Sequence, residues 1–343
     1  MGATGTIGTG VVRRLAGDPR VGSVLGLSRR PPGPLPPGAA WAAADITATA
    51  RLDRLFSGAD AVIHLACLFQ PAHRPEVTWR TNVLGTERVF AAVARAGVPA
   101  LVHASSVVAY APGPRERRVP ESWPTHGWPT APYPREKAYA ERLLDAFEHR
   151  HPGPRVVRLR PGIVLGADTA PQQRRLFAGP FFPTRRPPRP LRIVPDLPRL
   201  RFQALHADDA ADAFCRAALG DARGAFNIAA EPVIDARLLA DLCGARCVPL
   251  PHRPVRAAVD AAWHLRLVPT SAPMLDAVLA FPLMDTARAR RELGWRPRHS
   301  AADAAARFLH GLRHGGGRTP PLRRRLPGGG RLREAATGAG ERA

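Results

Sequence analysis

The 343-residue chain carries 50 Lys plus Arg against 28 Asp plus Glu, a net charge of +22, and is 45% hydrophobic with 38 Pro and 31 Gly. That length supports one large α/β domain with a smaller lobe, and that hydrophobic share excludes a chain disordered throughout. Four scattered cysteines, Cys67, Cys215, Cys243 and Cys247, exclude a disulfide framework, and no second Cys or His pair accompanies Cys243 and Cys247 to make a metal site.

No apolar run reaches membrane-spanning length and the N-terminus lacks the regions of a signal peptide, so a reducing cytoplasm is the expected compartment. The charge invites a nucleic-acid reading. Against it, the arginines outside the C-terminal stretch are dispersed and none of the usual recognition motifs is present, so nucleic acid is not an expected partner.

In chain order, Gly2-Ala3-Thr4-Gly5-Thr6-Ile7-Gly8 precedes Val11, Val12 and Leu15, the apolar positions of an amphipathic helix ending near Ala16. Glycines at 2, 5 and 8 permit a tight turn, close approach to a pyrophosphate and close helix packing, with the helix N-terminus facing the anion. Val24 to Leu27 reads as a buried strand ending at Ser28-Arg29-Arg30. An acid there would hydrogen-bond a ribose 2′-hydroxyl, whereas Arg29 and Arg30 suit a 2′-phosphate, so NADP is expected ahead of NAD. Such a glycine loop follows a buried strand, and Met1 directly before Gly2 leaves no residues for one. The first strand is therefore expected to be missing from the sheet, with the true start upstream.

Ala61 to Leu65 reads as a strand, Val77 to Ala96 as a helix, Leu101 to Ser106 as a strand, Tyr133 to His149 as a helix and Val156 to Leu159 as a strand. This alternation predicts a doubly wound parallel sheet, Rossmann-like, with a cofactor site at the strand ends where Gly2 to Gly8, Ala66 and Ser106 fall. Loop 111 to 132 is either a lid or an ordinary ordered loop. The expected organisation is a dinucleotide-binding domain over 1–165, a substrate lobe over 166–313 with about 204–229 returning to the first domain, and a disordered Gly/Arg/Pro-rich tail over 314–343.

Lys137 is the sole lysine, every other basic position being Arg, and it lies four residues after Tyr133. On a helix the two share a face, and a compact ammonium there favours the phenolate of Tyr133.

Together these motifs resemble the extended short-chain dehydrogenase/reductase superfamily, the NAD(P)-dependent epimerase/dehydratase group. The resemblance spans about residues 2 to 312. It rests on the glycine loop, Asp45-Ile46, His64-Leu65-Ala66, Asn82-Val83-Leu84-Gly85-Thr86, Ser105-Ser106 with Tyr110, Tyr133 to Lys137, Arg160-Pro161-Gly162, His206 to Ala210, Phe226-Asn227 and Glu292 to Pro297. It implies that Ser106, Tyr133 and Lys137 act on a carbonyl or alcohol carbon beside a nicotinamide and that Asn82 supports the proton relay. It also implies cofactor contacts at Asp45, Ile46, Leu65 and Ala66. Ser105 is read as satisfying backbone groups, His64 and His103 as strand residues, Asp208 and Asp209 as helix caps, and Tyr110 as core.

Sugar-nucleotide members show Asn where this chain has Gly162, and dehydratases an acidic pair where it has Val107 and Val108. The resemblance therefore leaves carbonyl reduction, alcohol oxidation or epimerisation. The expected partners are a carbonyl compound or nucleotide sugar and, at most, a second copy in a homodimer. Two other readings compete: a dinucleotide-binding sensor or scaffold without turnover, and a nucleic-acid binder acting through Arg323 to Arg325.

Overall fold

The computed structural model describes residues 1–69, 73–114, 116–167 and 192–314. The basic stretch 315–343 and the lobe residues Arg174, Arg175, Phe181, Phe182, Arg185, Arg186 and Arg189 lie outside them.

The strands are β1 (Val24–Ser28), β2 (Ala39–Ala43), β3 (Ala61–His64), β4 (Ala100–Ala104), β5 (Arg155–Pro161), β6 (Ile163–Leu165), β7 (Ile193–Asp196), β8 (Arg201–Phe202), β9 (Ala204–His206), β10 (Gly224–Ile228), β11 (Ile234–Asp235) and β12 (Arg246–Pro249). The helices that matter to the site are α1 (Thr6–Ala16), α2 (Leu52–Phe56), α3 (Pro75–Trp79), α4 (Gly85–Arg95), α5 (Pro132–Arg150) and α6 (Ala207–Leu219).

β10, β5, β4 and β3 pair in that order as a parallel ladder. Its strands are apolar on both faces, as a sheet covered on both sides requires. Val102, Val157 and Leu159 point with Phe226 into a core shared with Val11 of α1 and Phe214 of α6. The alternate residues Val62, Leu101 and Val156 point the other way, against Val89, Phe90 and Val93 of α4 and Leu144 and Phe147 of α5. The period of two along the strands thus sorts side chains between two helical layers.

β1 and β2 form a separate parallel pair. Residues 1–3 lie between the two ladders and bond to both. The Met1 amino group donates to the Ile63 carbonyl at 2.8 Å, and Leu65 N–H donates to the Met1 carbonyl at 3.0 Å. On the other side Gly2 and Ala3 donate to the Leu27 carbonyl at 2.8 and 3.2 Å. What the sequence predicts as a gap in the sheet is spanned by these few backbone bonds.

The helix predicted over 77–96 is α3 and α4 joined by a five-residue π-helical stretch, Arg80–Leu84. A π turn widens the helix by one residue and commonly marks a functional position; here it carries the buried Asn82. Loop 111–132 is anchored. Val119 N–H donates to the Leu283 carbonyl at 2.7 Å and Ala111 N–H to the Pro124 carbonyl at 2.8 Å, while Arg160 Nη1 donates to the Glu121 carbonyl at 2.7 Å. These bonds favour the ordered loop over the lid.

Beyond Pro161 the described residues form three small two-stranded ladders, β6 with β9, β7 with β12 and β8 with β11, and re-enter the main sheet at β10. Among the described residues no helix is long and apolar enough to cross a membrane.

Candidate active site

The glycine loop sits against the turn after β3. Gly2 has φ +82, and a Cβ on it would lie 2.8 Å from Ala66 N and 2.9 Å from Leu65 C. A Cβ at Gly8 would come within 2.1 Å of the Gly2 carbonyl oxygen. Only glycine fits either position, because both approaches are to backbone that cannot step aside. The loop feeds α1, whose N-terminus has no side-chain cap and no acid in its first turn. A tight glycine turn leading to an uncapped helix N-terminus suits a pyrophosphate.

The other predicted cofactor residues are placed less uniformly. Arg29 and Arg30 are exposed beyond the end of β1. Ser28 is turned inward, its hydroxyl donating to the Arg30 carbonyl at 2.7 Å and accepting from Trp41 Nε1 at 2.8 Å. Asp45 Oδ1 accepts from the Thr47 N–H at 2.8 Å and the Thr47 hydroxyl at 2.7 Å. Ile46 is buried against Gly85, where a Cβ would lie 2.7 Å from Ile46 Cγ1.

Helix α5 begins at Pro132, with proline in its first turn where no helical N–H is lost. Its buried face includes Pro134, Lys137, Ala138, Glu141 and Leu144, the three-to-four spacing that turns Tyr133 and Lys137 toward the sheet. Lys137 is 6% exposed. Its Nζ donates to the Ala104 carbonyl at the end of β4 at 2.7 Å and lies 5.8 Å from the Tyr133 ring centre. Tyr133 is half-buried, and Ser106, which caps the short 3-10 turn Val107–Ala109, is near enough to its phenol to favour the ionised form. Ser106, Tyr133 and Lys137 therefore converge at the carboxyl end of β4.

The expected phenolate of Tyr133 is corrected by this arrangement. Burial pushes the phenol well above its ordinary range; neighbouring Cys67 and Glu136 add to the rise, and the Ser106 hydrogen bond opposes it. The Lys137 ammonium, which donates to the Ala104 carbonyl, does not overcome desolvation. Tyr133 is held here as the protonated phenol.

Cys67 and Phe69 complete the immediate surroundings, and sequence reasoning missed both. The Cys67 thiol hydrogen-bonds both Tyr133 and Lys137, with burial raising its pKa. The Phe69 ring lies 4.3 Å from that of Tyr133, tilted by 45°. Their one available signal is position, directly after the His64-Leu65-Ala66 motif.

Asn82 holds this loop. Its Oδ1 accepts from Leu68 N–H at 2.7 Å, and its Nδ2 donates to the Leu68 carbonyl at 3.0 Å and to Glu136 Oε2 at 2.6 Å. Glu136, 1% exposed, also accepts from the Thr78 hydroxyl at 2.5 Å, and burial raises its pKa. The Asn82 side chain is thus committed to positioning residues 66–69, and any support it gives proton transfer runs through them.

Ser105 and Tyr110 belong to a buried network behind the site. Ser105 donates to Glu141 Oε1 at 2.5 Å, correcting its reading as a satisfier of backbone groups. Arg160 donates to both Glu141 oxygens, at 2.8 and 2.9 Å, and to the Tyr110 hydroxyl at 2.8 Å. Tyr110 in turn donates to Asn227 Oδ1 at 2.7 Å, and burial pushes its phenol up to about 12. Of the predicted helix caps, Asp208 pairs with Arg13 at 2.9 Å and Asp209 accepts from His299 at 3.1 Å; the cap of α6 is the His206 side chain.

A family model described as the NAD dependent epimerase/dehydratase family matches residues 1–229. The chain belongs to that family. One curated relative in Stigmatella aurantiaca, a 4-hydroxy-2-methyl-3-oxo-4-farnesyl-3,4-dihydroquinoline-1-oxide ketoreductase, is 38% identical over 112 residues, 33% of either chain. An uncharacterized Mycobacterium tuberculosis protein is 26% identical over 259 residues, 74% of this chain and 65% of its own. The matches thus span a third to about two thirds of these curated relatives. Among solved structures, MoeE5 in complex with UDP-glucose and NAD is 25% identical, with a TM-score of 0.64 over 92% of this chain and 97% of that one. This member of the NAD dependent epimerase/dehydratase family thus shares its architecture with a chain solved holding a dinucleotide.

Proposed function

We propose that the protein reduces a carbonyl compound with a nicotinamide dinucleotide, Ser106, Tyr133 and Lys137 being its catalytic group and Asn82 a positioning residue. The observation that carries this reading is the convergence of Tyr133, Ser106 and Lys137 at the end of β4, with residues 65–69 running from a glycine turn that tolerates no side chain at Gly2 to the Tyr133 ring.

Gly2, Thr4, Gly5, Thr6, Ile7 and Gly8 would hold the pyrophosphate, with Leu65 and Ala66 closing over the adjoining part. The bound dinucleotide supplies the hydride. Everything else falls to the chain. Ser106 and Tyr133 together hydrogen-bond the substrate oxygen, and Tyr133 gives its phenolic proton to that oxygen as it becomes a hydroxyl. The proton is available because burial keeps Tyr133 protonated. Lys137 fixes the end of β4 through Ala104, and its ammonium balances the negative charge that Tyr133 acquires as it gives up its proton.

MoeE5, the relative solved with a dinucleotide, holds NAD. In this chain the exposed Arg29 and Arg30 support NADP, because two guanidinium groups at the end of β1 pair with a 2′-phosphate. Reduction is favoured over dehydration because Val107 and Val108 follow Ser106, leaving no acid beside the catalytic hydroxyl.

The test is a split between binding and turnover. Tyr133→Phe should bind NADPH or NADH as the parent does, by fluorescence titration, while ketone reduction falls about 100-fold or more. Unchanged turnover in that variant would reject the assignment, and NADH preferred over NADPH would reject the roles of Arg29 and Arg30.

A further inference from the structure

Between Tyr133 and Lys137, helix α5 carries a third polar side chain that the reaction above does not use. Glu136 is buried, and its carboxyl is turned to the neighbouring helical segments. Oε1 accepts from the Thr78 hydroxyl of α3 at 2.5 Å, and Oε2 accepts from Asn82 Nδ2 of the π-helical stretch at 2.6 Å. One carboxyl therefore ties two segments to the helix that holds the catalytic phenol.

Asn82 passes that tie on to the loop after β3. One hydrogen of its Nδ2 goes to Glu136 and the other to the Leu68 carbonyl at 3.0 Å, while Oδ1 accepts from Leu68 N–H at 2.7 Å. The pairing with Leu68 sets which way the amide faces, and the bond to Glu136 sets where it stands relative to α5. Leu68 in turn lies between Ala66, whose nitrogen would be 2.8 Å from a Cβ on Gly2, and Phe69, whose ring centre is 4.3 Å from that of Tyr133. Without the carboxyl a buried N–H of Asn82 loses its partner, and the amide would shift to find another and take Leu68 with it. The tie needs hydrogen-bond geometry more than charge. The Thr78 hydroxyl also has the Pro75 carbonyl at 3.0 Å as an acceptor, so a neutral group that donates to Thr78 and accepts from Asn82 fits the same place.

Building on the catalytic reading above, we propose that Glu136 is a positioning residue of the reduction, setting the place of residues 66–69 against Tyr133 through Asn82. It acts through that chain of bonds, not on the reacting atoms.

The test reads the loop and the reaction separately, in the full chain. Half-buried Cys67 lies in the loop, whereas Cys215 and Cys243 are buried elsewhere, so alkylation by iodoacetamide with peptide mass spectrometry separates local loosening from general unfolding. Glu136→Met keeps the length but offers no such hydrogen bonds, and Glu136→Asp is too short to reach both partners. Each should alkylate Cys67 about tenfold faster than the parent, with Cys215 and Cys243 unchanged. Each should also lower kcat about tenfold for a ketone that the parent reduces, with Kd for NADPH within about twofold, as expected when a catalytic group is displaced rather than lost. Glu136→Gln, able to donate to Thr78 and accept from Asn82, should match the parent in all of these. Parent-like Cys67 alkylation or parent-like kcat in both Met and Asp variants, a rise shared by all three cysteines in both, or a Gln variant as impaired as they are would overturn the inference. Turnover surviving Tyr133→Phe, or a parent that binds dinucleotide and reduces no ketone, would instead overturn the catalytic reading beneath it, a result on which the Cys67 rates do not depend.

Discussion

Glu141 is the residue on which the site's back wall depends. It is buried together with Arg158 and Arg160, which donate to it at 2.8 to 3.0 Å, and Ser105 adds a fourth bond. Burial alone would raise its pKa, but these partners outweigh that and pull it down to about 2. A carboxyl depressed in the fold stabilises it above its unfolded value near 4.5, and that stabilisation is lost as the pH falls toward 2. His64 and His103 act at higher pH. Burial holds both well below the ordinary 6.5, with Nδ1 of His64 and both ring nitrogens of His103 lacking a protein partner. They are neutral in the fold and protonate on unfolding, so stability declines as the pH drops below 6.5. Chemical denaturation against pH should therefore show a loss of stability as the pH falls through 6.5 and a steeper loss below about 4.5. Glu141→Gln should cost about 3 to 5 kcal/mol at neutral pH by leaving the buried Arg160 guanidinium without its carboxylate, while Arg158 keeps Asp145 and Glu148. A cost under about 1 kcal/mol would mean that the network is worth no more than a surface pair.

At the scale of elements, the glycine loop and α1 make the clearest prediction. A methyl at Gly8 meets the Gly2 carbonyl at 2.1 Å, whereas one at Gly17, at the other end of the same helix, has its nearest neighbour at 3.6 Å. Dinucleotide at about 100 times its Kd should stabilise the parent by roughly 2.7 kcal/mol, read as a rise in Tm. Gly17→Ala should keep that rise and Gly8→Ala should lose it; equal rises would remove the loop from the binding site. The loop, α5 and the strands of the main sheet were legible because each follows from local rules, glycine placement or apolar periodicity. So was the meeting of Tyr133 with Lys137, since four residues on a helix fix a shared face. The π-helical stretch at Arg80–Leu84 was not legible, because the pattern of apolar residues through it is that of an ordinary helix. Nor were Cys67, Phe69 and Glu136, which owe their place to contacts between distant segments. The protonation state of Tyr133 was misjudged for a related reason: spacing shows that Lys137 is near, but not that the Ala104 carbonyl holds its ammonium or that burial outweighs it.

For the molecule as a whole, function depends on two halves meeting. Residues 1–3 bond to Leu27 on one side and to Ile63 and Leu65 on the other, so the glycine loop also ties the two parallel ladders together. Ser106, Tyr133 and Lys137 meet at the end of β4, and loop 111–132 is fastened to residues 283–285 and 231. In the proposed reaction hydride and proton reach one carbonyl from different parts of the fold. The measurement that addresses this most directly uses reduced dinucleotide carrying deuterium at the transferable position, with a ketone that the parent reduces as acceptor and mass spectrometry of the alcohol. The parent should place one deuterium on the carbinol carbon, and Tyr133→Phe, with dinucleotide still bound, should give almost none. Deuterium transfer at the parent's rate in Tyr133→Phe, or alcohol formed without deuterium, would contradict the account.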